Sequence, residues 1–153
     1  MSAVEQQNKL FLASDEFTQA IGAKIAKELR AGDIVLLEGP LGAGKTTLTR
    51  GIVTGFGGDA AQVHSPTFSL VHEYQCPTIS INHCDFYRLA PDSELEDFGG
   101  LEFFSDPKIY LLEWPERISL LKFLPPERLS VVRLEHDANG RNIYFPKKWQ
   151  ILD

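Results

Sequence analysis

The sequence lacks the features that would assign it to several large classes of protein. Its 153 residues include two cysteines, Cys76 and Cys84, at no metal-ligand spacing, so we predict reduced thiols rather than disulfides or a zinc site. No apolar run approaches the roughly 18 residues that cross a bilayer. The polar residues 1–9 do not resemble a signal peptide. We therefore expect a cytoplasmic protein with no membrane segment.

Positive charge is also scarce. The 15 lysines and arginines are outnumbered by 21 aspartates and glutamates, which gives a net charge of −6. A protein that binds nucleic acid on its own usually carries a basic patch, and this composition does not provide one. If the protein acts on RNA, we expect a partner to supply the positive surface.

One stretch, residues 34–56, organises the rest of the chain. The apolar residues 34–37 are followed by GPLGAGKT, which matches the phosphate-binding pattern G-x-x-x-x-G-K-[ST], and then by a helix-competent segment. In such a loop the glycines turn backbone N–H groups towards phosphate oxygens, and the next helix adds its positive end. Lys45 would contact the β- and γ-phosphates, and the Thr46 hydroxyl would ligate Mg²⁺.

The periodicity of the remaining chain predicts one α/β domain over residues 1–153. Apolar residues at a spacing of four predict a helix from Ser14 to Arg30, which Gly32 would terminate. We predict strands over residues 69–74, 78–84, 108–112, 129–135 and 142–145, an edge strand at 11–12, and short helices at 92–98, 100–104 and 118–123. Residues 137–141 predict a hairpin turn. The predicted fold is a P-loop NTPase-like sheet, mostly parallel near the phosphate loop with added antiparallel strands, and with helices on both faces.

Two predicted strands end in acids, Asp85 and Glu113. The carboxyl edge of such a sheet is where ligands bind, so either acid could ligate Mg²⁺ or position an attacking water. Thr67, in the sequence SPTF, belongs either to a switch-like loop that reaches the γ-phosphate or to an ordinary turn. Trp114 is either core packing or a ring near the nucleotide or an interface.

The four histidines, at positions 64, 72, 83 and 136, form no metal pattern. We interpret them as exposed or half-buried structural residues.

Four segments together resemble one family. GPLGAGKTTLTRG, SPTFSLVHEY, HCDFYRL and IYLLEWPER occur in this order over roughly residues 10–135, and this set resembles the TsaE (YjeE) family. The family is one of P-loop ATPases in the synthesis of threonylcarbamoyladenosine on tRNA. The resemblance implies ATP and ADP as ligands, Mg²⁺ as the metal, and TsaB and TsaD as partners, of which TsaD carries the threonylcarbamoyl transfer. Contact with tRNA would be made through this complex.

The resemblance also implies roles for individual residues. Glu113 would be the second Mg²⁺ contact beside Thr46, Asp85 would be needed for hydrolysis, and Thr67 would belong to the switch-like loop. No family motif identifies the base side of the nucleotide; Ser14 and Arg133 are candidates there because both could flank the loop. The phosphates would be held by Gly42, Ala43, Gly44, Lys45, Thr46 and Thr47.

Two other functions use the same loop. A small-molecule or nucleoside kinase would need an acceptor pocket and a lid rich in arginine, but the arginines here are scattered along the chain. A nucleotide-sensing module would bind ATP without hydrolysing it. A GTPase is disfavoured because the guanine-recognition sequence N-K-x-D is absent.

Overall fold

The structure is a computed structural model that describes residues 7–64, 71–86, 99–115 and 119–152. The strands and α-helices of this part are β1 (Gln7–Leu12), α1 (Asp15–Ala26), β2 (Ile34–Glu38), α2 (Lys45–Gly55), β3 (Val71–Gln75), β4 (Ser80–Asp85), β5 (Ile109–Glu113), β6 (Leu129–Asp137) and β7 (Gly140–Pro146). Short 3₁₀ helices lie at Ala60–Gln62, Gly100–Phe104, Ser119–Phe123 and Pro126–Arg128.

All seven strands form one sheet in the order β1-β7-β6-β2-β5-β4-β3. The four adjacent strands β6, β2, β5 and β4 are parallel to one another. In this group β2 pairs in parallel with β5 and β6, and β5 pairs in parallel with β4. The outer strands β3, β7 and β1 are added in antiparallel orientation, with β1 at an edge. The predicted α/β sheet, parallel near the loop and antiparallel towards its edges, is confirmed.

The central strands are apolar on both sides because both faces of the sheet are covered. Every residue of β5 is buried. On one face Leu111 packs in a core that also contains Ile25 of α1 and Ile52 of α2. On the other face Leu112 packs with Phe104 of the 3₁₀ helix Gly100–Phe104. In the described residues, α-helices therefore cover the first face and 3₁₀ helices the second.

The helices α1 and α2 lie side by side because glycines bring their backbones together. A Cβ added to Gly51 would overlap the backbone of Gln19, and one added to Gly55 would overlap the backbone of Ala23. Between these two contacts the chain advances four residues along each helix, from Gly51 to Gly55 and from Gln19 to Ala23, so the two helices run parallel. Their N-termini consequently lie at the same end of the sheet.

Some predicted element boundaries differ from the structure. The first helix ends at Ala26 instead of Arg30, because the amide groups of Glu28 and Leu29 donate to carbonyls three residues back and tighten the last turn. Gly32 comes after this turn, and its N–H donates to the Lys108 carbonyl at 2.8 Å. The helix predicted at 100–104 is 3₁₀, and so is the described part of the one at 118–123. The helix predicted at 92–98 lies outside the described residues.

The structure also bears on the cysteines and on membrane-spanning segments. Cys76 and Cys84 are free thiols, as predicted. No helix in the described parts of the chain is long and apolar enough to cross a membrane.

Candidate functional site

The glycine loop, residues 39–46, follows β2 and runs into the first turn of α2. Gly39 has φ +149°, and a Cβ there would overlap the Leu134 carbonyl oxygen, so the close approach of the two backbones requires glycine. Gly44 is the N-cap of α2, with φ +109° and no side-chain cap. The first turn of α2 contains no acid. The N–H groups and positive dipole of this helix end are therefore open to an anion.

Lys45 is the first residue of α2, and its ammonium group contacts the start of the loop and the end of β5. Nζ donates a hydrogen bond to the Gly39 carbonyl at 2.7 Å and lies 4.0 Å from Oε1 of Glu113. It also lies 4.0 Å from the centroid of the Trp114 ring. Trp114 has φ +58°, a conformation that is uncommon for a bulky residue and is typically retained at functional sites.

The two strand-end acids lie side by side at the carboxyl edge of the sheet. Asp85 of β4 and Glu113 of β5 are paired in register, and Glu113 is also paired with Leu37 of β2, just before the loop. Their burial differs, because Glu113 is only 4% exposed whereas Asp85 is half-buried. Glu113, which lies 4.0 Å from the ammonium group of Lys45, is thus the more deeply buried of the two acids.

Glu113 is also bonded from behind by a buried histidine. Nε2 of His83 lies 2.5 Å from Glu113 Oε2, and Nδ1 of His83 lies 2.9 Å from the Tyr74 hydroxyl. Burial is the main reason that the pKa of Tyr74 is raised to about 12, and the negative charge of Glu113 adds to it. His83 is fully buried. Its interpretation as an exposed or half-buried structural residue is therefore wrong.

The hairpin between β6 and β7 closes the loop from the other side. The guanidinium of Arg141 lies where a Cβ on Gly44 would be, and it donates to Oδ1 of Asp15 at 2.9 Å. Asp15 begins α1, whose N-cap Ser14 accepts a hydrogen bond from the Phe17 amide at 3.0 Å. Arg141 therefore connects the start of α1 to the start of α2.

A cavity of about 230 Å³ lies between these elements. It is lined by Asp15, Leu41, Gly42, Gly44, Lys45, Thr46, Thr47, Glu113 and Arg141. Its Thr46 hydroxyl and Glu113 carboxylate are the hard oxygen donors that Mg²⁺ prefers. The described residues include no cluster of three or more acidic, histidine or cysteine side chains that could hold a metal. This donor set fits a magnesium ion that relies on phosphate and water for its other ligands.

The structure brings most of the predicted site residues together. Asp85 lies on β4 beside Glu113, and Ala43, itself in the loop, is buried. The cavity is lined by Gly42, Gly44, Lys45, Thr46, Thr47 and Glu113.

Two predicted site residues, Ser14 and Arg133, are not among the cavity-lining residues, and a third is not described. Ser14 caps α1 next to the cavity-lining Asp15. Arg133 alternates with the core residues of β6, so it points to the other face of the sheet, where its guanidinium carbon lies 4.3 Å from the centroid of the Tyr144 ring. Thr67 lies outside the described residues.

Sequence reasoning did not single out Arg141, Asp15, His83 or Tyr74 as site residues. A signal for His83 was present, because residues two apart on a strand share a face and His83 precedes Asp85 by two. No local pattern marks Arg141, since only the sheet order brings its hairpin to the loop.

The comparisons with known proteins agree with this geometry. Residues 12–143 match the family model described as "Threonylcarbamoyl adenosine biosynthesis protein TsaE". The chain belongs to the TsaE family. This span includes every cavity-lining residue, from Asp15 to Arg141.

Individual members of the TsaE family are similar over most of the chain. The tRNA threonylcarbamoyladenosine biosynthesis protein TsaE of Bacillus subtilis (strain 168) is 38% identical over 92% of this chain and 85% of its own length. The protein of the same name from Haemophilus influenzae is 40% identical over 84% of this chain and 83% of its own length. The crystal structure of Bacillus subtilis YdiB superposes on this structure with a TM-score of 0.68 at 29% sequence identity. The match covers 91% of this chain and 84% of the YdiB chain.

Proposed function

We propose that this protein is a Mg²⁺-dependent ATPase that supports tRNA threonylcarbamoyladenosine modification by binding and hydrolysing ATP. The observation that carries the proposal is the meeting of Lys45 and Glu113 at the uncapped start of α2. A cation, an acid and an open helix end in one cavity are the groups that a Mg²⁺–triphosphate needs. Membership of a family named for this biosynthesis supplies the biological context.

Each group has a distinct task in this proposal. The N–H groups of residues 42–47 bind phosphate oxygens, and Lys45 exchanges its bond to the Gly39 carbonyl for the β- and γ-phosphates. Thr46 and Glu113 hold Mg²⁺, which neutralises negative charge on the phosphates when it is bound. These residues orient the phosphate chain for an in-line displacement.

Asp85 is the residue that we assign to hydrolysis. A water oxygen attacks the γ-phosphorus, the bond from that phosphorus to the β-phosphate oxygen of ADP breaks, and the proton of the water passes to the Asp85 carboxylate. Asp85 ends β4 beside Glu113 and is half-buried, so its carboxylate lies at the carboxyl edge of the sheet with access to solvent, where it can orient the water. The proposed contribution of Thr67, as a switch residue near the γ-phosphate, concerns residues that the structure does not describe.

The proposal includes partners and a compartment. We propose that the protein acts in the cytoplasm with TsaB and TsaD, the partners implied by the family resemblance. The net charge of −6 supports contact with tRNA through such a complex instead of through a basic surface of this chain.

The test is ATP hydrolysis by the native chain and by Asp85→Ala, each with and without TsaB and TsaD. We expect slow hydrolysis alone and faster hydrolysis with the partners. Asp85→Ala should lower the rate at least tenfold while it still binds Mg²⁺–ATP, because removal of one positioned acid–base group costs about 10²–10⁴-fold in rate. The control is Asp59→Ala, since Asp59 is a carboxylate that caps a distant 3₁₀ helix.

Three results would contradict the proposal. Hydrolysis that is fast alone and indifferent to the partners would remove the link to the tRNA-modifying machinery. Phosphorylation of an added metabolite would favour a kinase. Complex assembly that is identical with ATP and a non-hydrolysable analogue, without turnover, would favour a sensing module.

A further inference from the structure

Tyr74 and His83 lie behind the cavity-lining Glu113 in a hydrogen-bonded chain, and the proposal above gives neither of them a task. All three side chains are buried, at 2%, 0% and 4% exposure, and they come from the neighbouring strands β3, β4 and β5. Three polar groups in a core carry a desolvation cost unless each is paired, and here each one bonds to the next.

We propose that His83, oriented by Tyr74, is a positioning residue that fixes the Glu113 carboxylate for Mg²⁺–nucleotide binding. The inference rests on the proposed function, since it adds to the magnesium site of that proposal the residues that support one of its ligands.

The geometry gives the two Glu113 oxygens different tasks. Oε2 accepts the hydrogen bond from His83, whereas Oε1 faces Lys45 at 4.0 Å and the cavity. With one oxygen held from behind, the carboxylate cannot rotate freely, so the second oxygen keeps its direction. A ligand that is oriented before the metal arrives loses less conformational freedom on binding, which is why such supporting residues strengthen metal sites.

The order of donors along the chain is also consistent. The raised pKa of Tyr74 keeps its hydroxyl protonated, so the phenol can donate to Nδ1 of His83. With Nδ1 as the acceptor from Tyr74, the N–H at Nε2 of His83 donates a hydrogen bond to Glu113 Oε2.

The first measurement is ADP affinity with Mg²⁺ and again in EDTA, by titration calorimetry. The ratio of the two affinities isolates the contribution of the metal. We expect His83→Leu to lower this ratio about tenfold, near the lower end of the 10–100-fold cost of such supporting residues, with the EDTA affinity changed less than threefold. His83→Gln, which keeps an N–H donor near the position of Nε2, should recover most of the ratio. Tyr74→Phe should lower it by an intermediate amount.

The matched control is His72→Gln. His72 is the register partner of His83 on β3, and its ring packs edge-on against Tyr74 with centroids 6.4 Å apart. We expect its Mg²⁺ ratio to equal that of the native chain. An equal loss of affinity in both titrations for His83→Leu would show a structural role and overturn the proposal, as would native affinity in both.

A second measurement does not depend on nucleotide. The short His83–Glu113 hydrogen bond should give a downfield, slowly exchanging imidazole proton in the NMR spectrum of the native chain, lost in Glu113→Ala and shifted in Tyr74→Phe. If the native chain shows no Mg²⁺ enhancement of ADP binding, the proposed function fails and this proton decides whether Tyr74 and His83 still orient Glu113. If this imidazole proton is absent from the native spectrum, that result alone overturns the proposal that His83 positions Glu113.

Discussion

The helices α1 and α2 begin at the same cavity, but their first turns differ in how their N–H groups are used. At α1, Ser14 caps the helix, and Asp15 and Glu16 place acids in the first turn. At α2, Gly44 offers no side-chain cap and the first turn has no acid. The first helix start is thus stabilised by its own chain, whereas the second leaves its positive end for a ligand.

This difference shows why the phosphates should bind at α2. Two parallel helix ends with similar dipoles would otherwise compete for the same anion. Asp15 makes the α1 end negative, and its pairing with Arg141 directs a guanidinium towards Gly44. The charges at both helix starts therefore favour an anion at α2.

Among the substitutions at the two helix starts, Lys45→Ala should have the largest effect on ATP affinity. The substitution removes the cation at the start of α2 and, with it, the Lys45 contact of the buried Glu113. Truncation of one partner of a buried charged contact typically costs roughly 2 to 5 kcal/mol, so we expect ATP affinity in Mg²⁺ to fall about 30-fold or more. Titration calorimetry measures this directly.

The control for this variant is Lys24→Ala. Lys24 lies in the last turn of α1, where its ammonium donates to the Ile151 carbonyl at 3.3 Å, away from the cavity. ATP affinity should be unchanged in that variant. Native-like affinity in Lys45→Ala would show that the glycine loop does not bind the nucleotide.

Much of the fold could be predicted because the relevant information is local. The glycine loop, the apolar strands that end at Asp85 and Glu113, and the hairpin turn at residues 137–141 all depend on patterns within a few residues. Their combination implied a parallel sheet around β2, which the structure confirms.

The rest depends on which strands become neighbours. Arg141 reaches Gly44 because the β6–β7 hairpin lies beside β2, and His83 reaches Glu113 because β4 lies beside β5. Such contacts join residues 30 or more positions apart, and no short motif encodes them. Arg133 illustrates the converse, since its position on β6 is near the loop but strand alternation directs it to the other face.

A smaller effect should come from the pair that joins the two helix starts. Arg141→Gln removes a positive charge beside Gly44, so we expect ATP affinity to fall about three- to tenfold, near the value of one charged hydrogen bond that is partly exposed to solvent. Asp15→Asn removes a negative charge from the same cavity and should raise affinity by about twofold. Both changes should shrink at high salt.

The matched control for that pair is Arg133→Gln. It removes the same charge from the adjacent strand, but on the face where the guanidinium stacks on Tyr144. If Arg133→Gln weakens ATP binding as much as Arg141→Gln, net charge rather than position accounts for the effect, and the assignment of Arg141 to the cavity's function is wrong.

The smallest effect on binding should come from Ser14→Ala, although Ser14 lies next to Asp15. Its hydroxyl oxygen accepts from the Phe17 amide at 3.0 Å, so the substitution removes the cap of α1. We expect a loss of about 1 kcal/mol in the free energy of unfolding, seen as a melting temperature lower by a few degrees. ATP affinity should stay within about twofold, because the α1 end is already satisfied by its own chain and not by the ligand. Ser14→Thr, which keeps a hydroxyl cap, should restore most of the stability. A marked loss of ATP affinity in Ser14→Ala with stability preserved would instead place Ser14 on the base side of the nucleotide, and would show that both helix starts contact the ligand.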